Sequence, residues 1–206
     1  MANTGITIIA VVTMVAATVI IGCVIAFSEG GHDDGSGTFI YNWGPGTSMD
    51  YDIDGGYTHT VSEYDVDYSF KGSVVHDEII SSAESQFTFQ RDAMIKTTHT
   101  DPSTGEIQTE TQQSTNNMVQ DRELRYRGAV SSSIDTKWGT KNVVVIKSVI
   151  TDSRGNEIDT TDCRDTDTFV RYRIDFSCDS YVSGSDTLND WHMTYTLIDY
   201  SIVENN

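Results

Sequence analysis

Residues 170–178 read VRYRIDFSC, and the order of these side chains decides the fold. Val170, Tyr172, Ile174, Phe176 and Cys178 fall on one side of an extended chain, while Arg171, Arg173, Asp175 and Ser177 fall on the other. A period of two with one apolar and one polar face marks a strand packed on one side and wet on the other, which is the antiparallel arrangement. Residues 64–70, YDVDYSF, repeat the pattern with Tyr64, Val66, Tyr68 and Phe70 as the apolar row. Working outward, turn chemistry recurs at short intervals, which favours hairpins over crossovers. Asp54-Gly55-Gly56 is predicted to join strands at 49–53 and 57–61. Asp101-Pro102-Ser103-Thr104-Gly105 joins 94–100 to 107–111, and Ser153-Arg154-Gly155-Asn156 follows a strand at 143–150. In the closing segment the apolar row Trp191, Met193, Tyr195, Leu197 changes parity to Ile198, Tyr200, Ile202, which predicts a bulge. No long amphipathic helix is written into the chain; at most a short one falls within 75–86. The expected fold is all-β, an antiparallel sheet of about eight to ten strands arranged as a sandwich or half-open barrel, preceded by one N-terminal transmembrane helix.

That helix is read from residues 6–27, twenty-two consecutive residues without a charge. As a helix they span roughly 33 Å, against a bilayer core of about 30 Å. A cleaved signal peptide would have a basic start and a shorter apolar region, and MANTG supplies neither Lys nor Arg. Ile20-Ile21-Gly22-Cys23 loosely resembles a lipobox, but the apolar run continues past Cys23 to Phe27. A type IV pilin stem would carry a preceding basic residue and an early Glu, and neither is present. Gly22 and Ala26 have the small-residue spacing that lets two such helices approach, so a homo-oligomer is compatible with the segment. The expected organisation is an anchor over 1–27, a Gly-, Ser- and Asp-rich spacer over 28–37, and a folded domain over 38–206.

The chain of 206 residues carries 31 acidic against 13 basic side chains, for a formal charge of -18. Nucleic-acid binding needs clustered Lys and Arg to neutralise phosphates, so that class is excluded. The first basic residue is Lys71, so Lys/Arg bias cannot orient the anchor. Cys163 and Cys178 supply the orientation instead: as the only pair outside the apolar segment, they are expected to form a disulfide, which requires an oxidising compartment. The domain is therefore expected at the cell membrane, outside the cytoplasm. An acidic, Lys-poor surface facing a salty or extracytoplasmic medium is consistent with that placement.

Candidate chemistry is sparse. Asp50, Asp52 and Asp54, followed by Gly55, reproduce the first half of a calcium loop, in which alternate carboxylates wrap a hard cation. The twelfth position, which should be Glu, is Val61, and the intervening Tyr51 and Ile53 make the three aspartates equally the wet face of a strand. Ca2+ is thus the one cofactor the sequence offers. Asp159, Asp162, Asp165 and Asp167 cluster beside Cys163 without ligand spacing. His32, His59, His76, His99 and His192 occur singly, with no HExxH or CxxC, and no G-x-S-x-G or phosphate loop exists. Ser131-Ser132-Ser133 reads as a polar linker, and no catalytic residue is assigned. Trp43-Gly44 and Trp138-Gly139 each feed a strand, without the sustained self-similarity of a repeat.

The layout of one span followed by an acidic, Thr-, Asp- and Tyr-rich β domain, with Trp138-Gly139-Thr140-Lys141 turning into a strand, resembles uncharacterised archaeal single-pass membrane-anchored proteins. That resemblance implies an extracytoplasmic β domain and no particular catalytic residue. Three readings of function follow. The chain is a membrane-tethered interaction or structural module with a protein partner; or a carrier of a lipid or other apolar ligand walled by inward Tyr and Phe; or a surface hydrolase. A continuous apolar cavity would favour the carrier, a filled core the module, and converging Asp, His and Ser the enzyme.

Overall fold

A computed structural model describes residues 35–61 and 63–205. The anticipated anchor over 6–27, Cys23 within it and most of the spacer lie outside the described residues. Among the described residues no helix is long and apolar enough to cross a membrane.

The described chain is all-β. Ten strands form one antiparallel sheet: β2 (Ser48–Val61), β3 (Tyr64–Ser69), β4 (Ser73–Ser82), β5 (Gln86–Thr100), β6 (Ile107–Asp121), β8 (Val130–Thr136), β9 (Gly139–Thr151), β10 (Glu157–Asp165), β11 (Arg171–Ser183) and β12 (Asp186–Ser201). A separate ribbon pairs β1 (Gly37–Ile40) with β7 (Glu123–Tyr126). Gly37 therefore belongs to a strand rather than to the spacer. The large sheet consists of two meanders, β2 through β6 and β8 through β12, joined where the last strand returns to pair with β2. Strands β3 and β4 follow one another along the same edge of β2 and both pair with β5, so they behave as one long strand broken by a corner at Phe70.

The expected hairpins at 101–105 and 153–156 are present between β5 and β6 and between β9 and β10. Asp54-Gly55-Gly56 is different. It does not turn the chain but bends a single fourteen-residue strand, β2. Gly55 has φ +138, and a Cβ there would collide with the carbonyl oxygen of His192; a Cβ on Gly56 would collide with that of Tyr68. Both glycines are needed because neighbouring backbone crosses at van der Waals distance, not because the chain reverses. The parity change in β12 is a bulge, with the register against β2 shifting between Leu197 and Asp199. A second shift, between Asn189 and His192, falls at Asp190, whose φ is +52. The short helix anticipated within 75–86 is instead strand β4 and the turn after it, and Ser131-Ser132-Ser133 belong to β8 rather than to a linker. Cross-strand pairing overrides the weak local preference in both places.

The apolar rows read from the sequence converge on one core, except that Tyr64, at the start of β3, is 62% exposed. Tyr172, Ile174 and Phe176 of β11 pack with Trp191, Met193, Tyr195 and Leu197 of β12 and with Met49, Tyr51 and Ile53 of β2, all buried. Each such side chain contributes about 1.5–3 kcal/mol relative to an exposed one. The segment after β1 lies across the two meanders. Tyr41 and Arg122 exchange two hydrogen bonds, the Tyr41 amide donating to the Arg122 carbonyl (2.8 Å) and the Arg122 guanidinium donating to the Tyr41 carbonyl (2.7 Å). Trp43 then pairs with Glu204 near the C-terminus.

Candidate functional site

The three aspartates of the supposed calcium loop do not form a loop. Asp50, Asp52 and Asp54 sit at alternate positions of β2, so successive carboxylates are roughly 7 Å apart along the strand. Ligands to one Ca2+ must all reach within about 2.6 Å of it. Asp54 instead accepts from the Gly55 amide (2.8 Å), and Asp50 pairs with His76 Nδ1 (2.6 Å). Among the described residues no three His, Cys, Asp or Glu side chains gather as a metal site.

The expected disulfide is likewise corrected. Cys163 and Cys178 are both free thiols. Cys163 of β10 stands opposite Arg173, whereas Cys178 lies five residues further along β11, opposite Trp191. At about 3.3 Å per residue that offset places the two far beyond the reach of an S–S bond. Burial raises both thiol pKa values, so neither is poised as a thiolate.

The chemistry that the fold assembles lies elsewhere, in a cavity of about 70 Å3 on the core side. Arg91 from β5, Arg164 from β10 and Arg171 from β11 line it, walled by Tyr41, Trp43 and Phe87. Arg91 forms a fork with Asp77, Nε and Nη2 each donating at 2.6 Å, and the two side chains are only 11% and 14% exposed. Asp162 accepts from Arg171 Nε and Nη2 at 2.9 Å each and from Arg164 Nε at 2.8 Å. Arg164 also donates to the Tyr41 hydroxyl. Burial by itself would raise the Asp162 carboxyl, but attraction to Arg164 and Arg171 and their hydrogen bonds outweigh it, holding it below the usual range. Arg171 also loses to burial and gains more from Asp162, so its charge is secure. Tyr51, whose hydroxyl donates only to Met49 Sδ (3.3 Å), is raised chiefly by burial and stays neutral. Three guanidiniums face two carboxylates, so one positive charge is in excess inside a chain whose overall charge is -18.

Sequence reading placed Asp162 in an acidic cluster and missed the arginines. Arg171 sits in the outward row of its strand by alternation, and nothing local says that Tyr41 and Asp162 will cover it. The available signal was scarcity: two of the chain's eight Arg lie at 164 and 171, flanking the acidic run.

A second concavity, about 880 Å3 and open to solvent, lies on the opposite, polar face. Its floor is a straight cross-strand row: Asp199 of β12 opposite Asp50 of β2, then His76 of β4, Asp92 of β5 and Thr115 of β6. Lys137 reaches Asp199 at 3.7 Å and lies over the Trp138 ring. Asp50 and His76 form the acid–base pair that hydrolase chemistry would use. The hydroxyl of the row, Thr115, donates to Asp92 (2.5 Å) and not to His76, so the nucleophile–base contact is not made. His59 is buried with its Nδ1 unbonded, and the Tyr57 hydroxyl and the Trp191 indole nitrogen are likewise buried without a hydrogen bond. Compared with known proteins, the chain matches no family model, no curated protein and no solved structure.

Proposed function

We propose that this chain is a membrane-tethered, extracytoplasmic binding module that receives a small anionic group of its partner, a carboxylate or phosphate, in the arginine-lined cavity. One observation carries the reading: among the described residues, Asp77 and Asp162 are the only carboxylates paired with Arg91, Arg164 and Arg171, in a cavity walled mainly by aromatic and apolar side chains. A core that needed only filling would be filled at lower cost by apolar side chains, because buried ion networks repay their desolvation poorly. Guanidiniums with donors left over and planar forks are the groups that recognise carboxylate and phosphate.

The tether rests on the uncharged run at 6–27, and with Cys163 and Cys178 unpaired the extracytoplasmic placement rests on the acidic, Lys-poor surface. The cavity volume of about 70 Å3, well under the roughly 300–1,000 Å3 of pockets for drug-sized ligands, favours a head group over an acyl chain. A half-open arrangement of the sheet around the cavity would leave the body of the ligand outside. The test is titration of the full-length chain with acetate, benzoate and phosphate, read by tryptophan fluorescence and melting temperature. Saturable stabilisation by at least one anion, lost in Arg91→Met, supports the proposal. Equal response to chloride, or none, overturns it. Protease shaving of intact cells tests the sidedness: a protected domain would refute the extracytoplasmic placement.

A further inference from the structure

We infer that β6 is a self-pairing edge, through which two copies of the chain join their sheets about a twofold axis at Ser114. Among the described residues strand β6 pairs only with β5, in an unbroken register from Gln86 opposite Asp121 to Thr100 opposite Ile107. Its side-chain bonds run to that same neighbour and the turn after it: Thr109 with Thr98, Thr115 to Asp92, Gln86 to Asp121, and Gln108 to Asp101. Along the other edge, the amides and carbonyls that point away from β5 have no strand partner among the described residues over the whole fifteen-residue length. Proteins ordinarily blunt such an edge with Pro, Lys, bulges or brevity. The sequence IQTETQQSTNNMVQD contains no Pro, Gly, Lys or Arg, and no register shift interrupts it. The sheet's opposite edge, β8, is blunted by its seven-residue length.

What favours a second copy is the strand's complementarity to itself. An antiparallel pair related by a twofold axis must bring residues of equal parity together, so the axis must pass through a residue. Fifteen residues have Ser114 as their midpoint, and full overlap is then compatible with the ladder. In that register Thr109 faces Val119, Thr111 faces Asn117, Gln108 faces Gln120 and Glu110 faces Met118. The only two charges, Glu110 and Asp121, never meet a like charge directly. Ile107 and Val119, 75% and 63% exposed, gain cover. About fifteen backbone hydrogen bonds would form across the axis. Copies that repel through their overall charge of -18 would thus meet along one of their least charged edges.

The test uses the full-length chain in mild detergent, with mass measured by sedimentation against concentration. A dimer is expected whose dissociation constant rises at least tenfold in Thr111→Glu/Asn117→Glu, which sets carboxylates opposite one another on exposed positions. Thr111→Glu/Asn117→Lys, which sets opposite charges together, should restore it. With Cys23, Cys163 and Cys178 replaced by Ser, Ser114→Cys should cross-link to itself under oxidation, whereas Gln108→Cys should not. A monomer at every concentration overturns the inference, as does a dimer indifferent to both double variants or a cross-link formed equally at 108 and 114. Dimerisation through the apolar N-terminal segment would give the second of these results.

Discussion

Replacing Asp162 by Asn removes one charge and almost no volume, and it isolates what the buried arginines require. Asp162 is 13% exposed and accepts three charge-assisted bonds, one from Arg164, itself 8% exposed, and two from Arg171. The variant leaves two guanidiniums facing each other in the interior with a single neutral acceptor between them. Removing one partner of a buried ion pair costs about 3–5 kcal/mol. A domain's whole stability is about 5–15 kcal/mol, so the loss is a large fraction of it. At about 2–4 °C per kcal/mol for a chain of this size, the melting temperature should fall by about 6–20 °C. Near-ultraviolet circular dichroism of the full-length chain reads it directly. Asp175→Asn is the internal control: its partner Arg173 is 47% exposed, and exposed pairs contribute about 1 kcal/mol at most. Adding Arg171→Met to Asp162→Asn should recover part of the loss, since it removes an uncompensated charge. A drop below about 3 °C for Asp162→Asn, or one no larger than that of Asp175→Asn, would refute the claim that this carboxylate holds the cluster together.

Tyr57→Phe should leave stability unchanged or raise it by about 1 kcal/mol in urea unfolding, because the Tyr57 hydroxyl is buried without a partner while its ring stacks on Tyr68 at 4.7 Å. Gly55→Ala should cost about 2 kcal/mol or more in the same assay, since φ +138 and the nearby His192 carbonyl leave no room for a Cβ. Asp152, Asp162 and Asp165 are held below their usual value of 3.8, opposing burial in each case, by hydrogen bonds and, for Asp162, by its arginines. Their contribution to stability is therefore complete above that value and lost as the pH falls through the lowered ones; the melting temperature should be level near neutrality and decline below about pH 4. Iodoacetamide applied to the folded protein should label Cys178 ahead of the more buried Cys163, with no peptide linked through the two; recovery of that linked peptide would contradict the register.

Several elements were legible because they depend on near neighbours in sequence. The alternation at 64–70 and 170–178, the hairpins at 101–105 and 153–156 and the bulge at Ile198 are all local, since side-chain parity and turn chemistry are fixed within a few residues. Asp54-Gly55-Gly56 misled because a Gly pair serves a turn and a close crossing equally well, and only the backbone of His192 and Tyr68 distinguishes them. Cys163 and Cys178 misled for a related reason: counting thiols says nothing about register, and one offset of five residues separates them. The arginine cluster was hidden because its members come from three strands, with Tyr41 arriving from a fourth segment.

By itself, then, the amino-acid sequence determined the two-residue period, the antiparallel class, the acidic surface and the uncharged run near the start, since each is a property of neighbouring side chains or of the sum. Tertiary structure alone decided which strands meet, and so placed Arg91, Arg164 and Arg171 around one cavity, lined Asp50, His76 and Asp92 across three strands and left β6 at an edge. The physical reason is that pairing order and register are set by the packing of the whole sheet. A contact between residues more than a hundred positions apart, such as Arg164 with Tyr41, leaves no periodic trace in the chain.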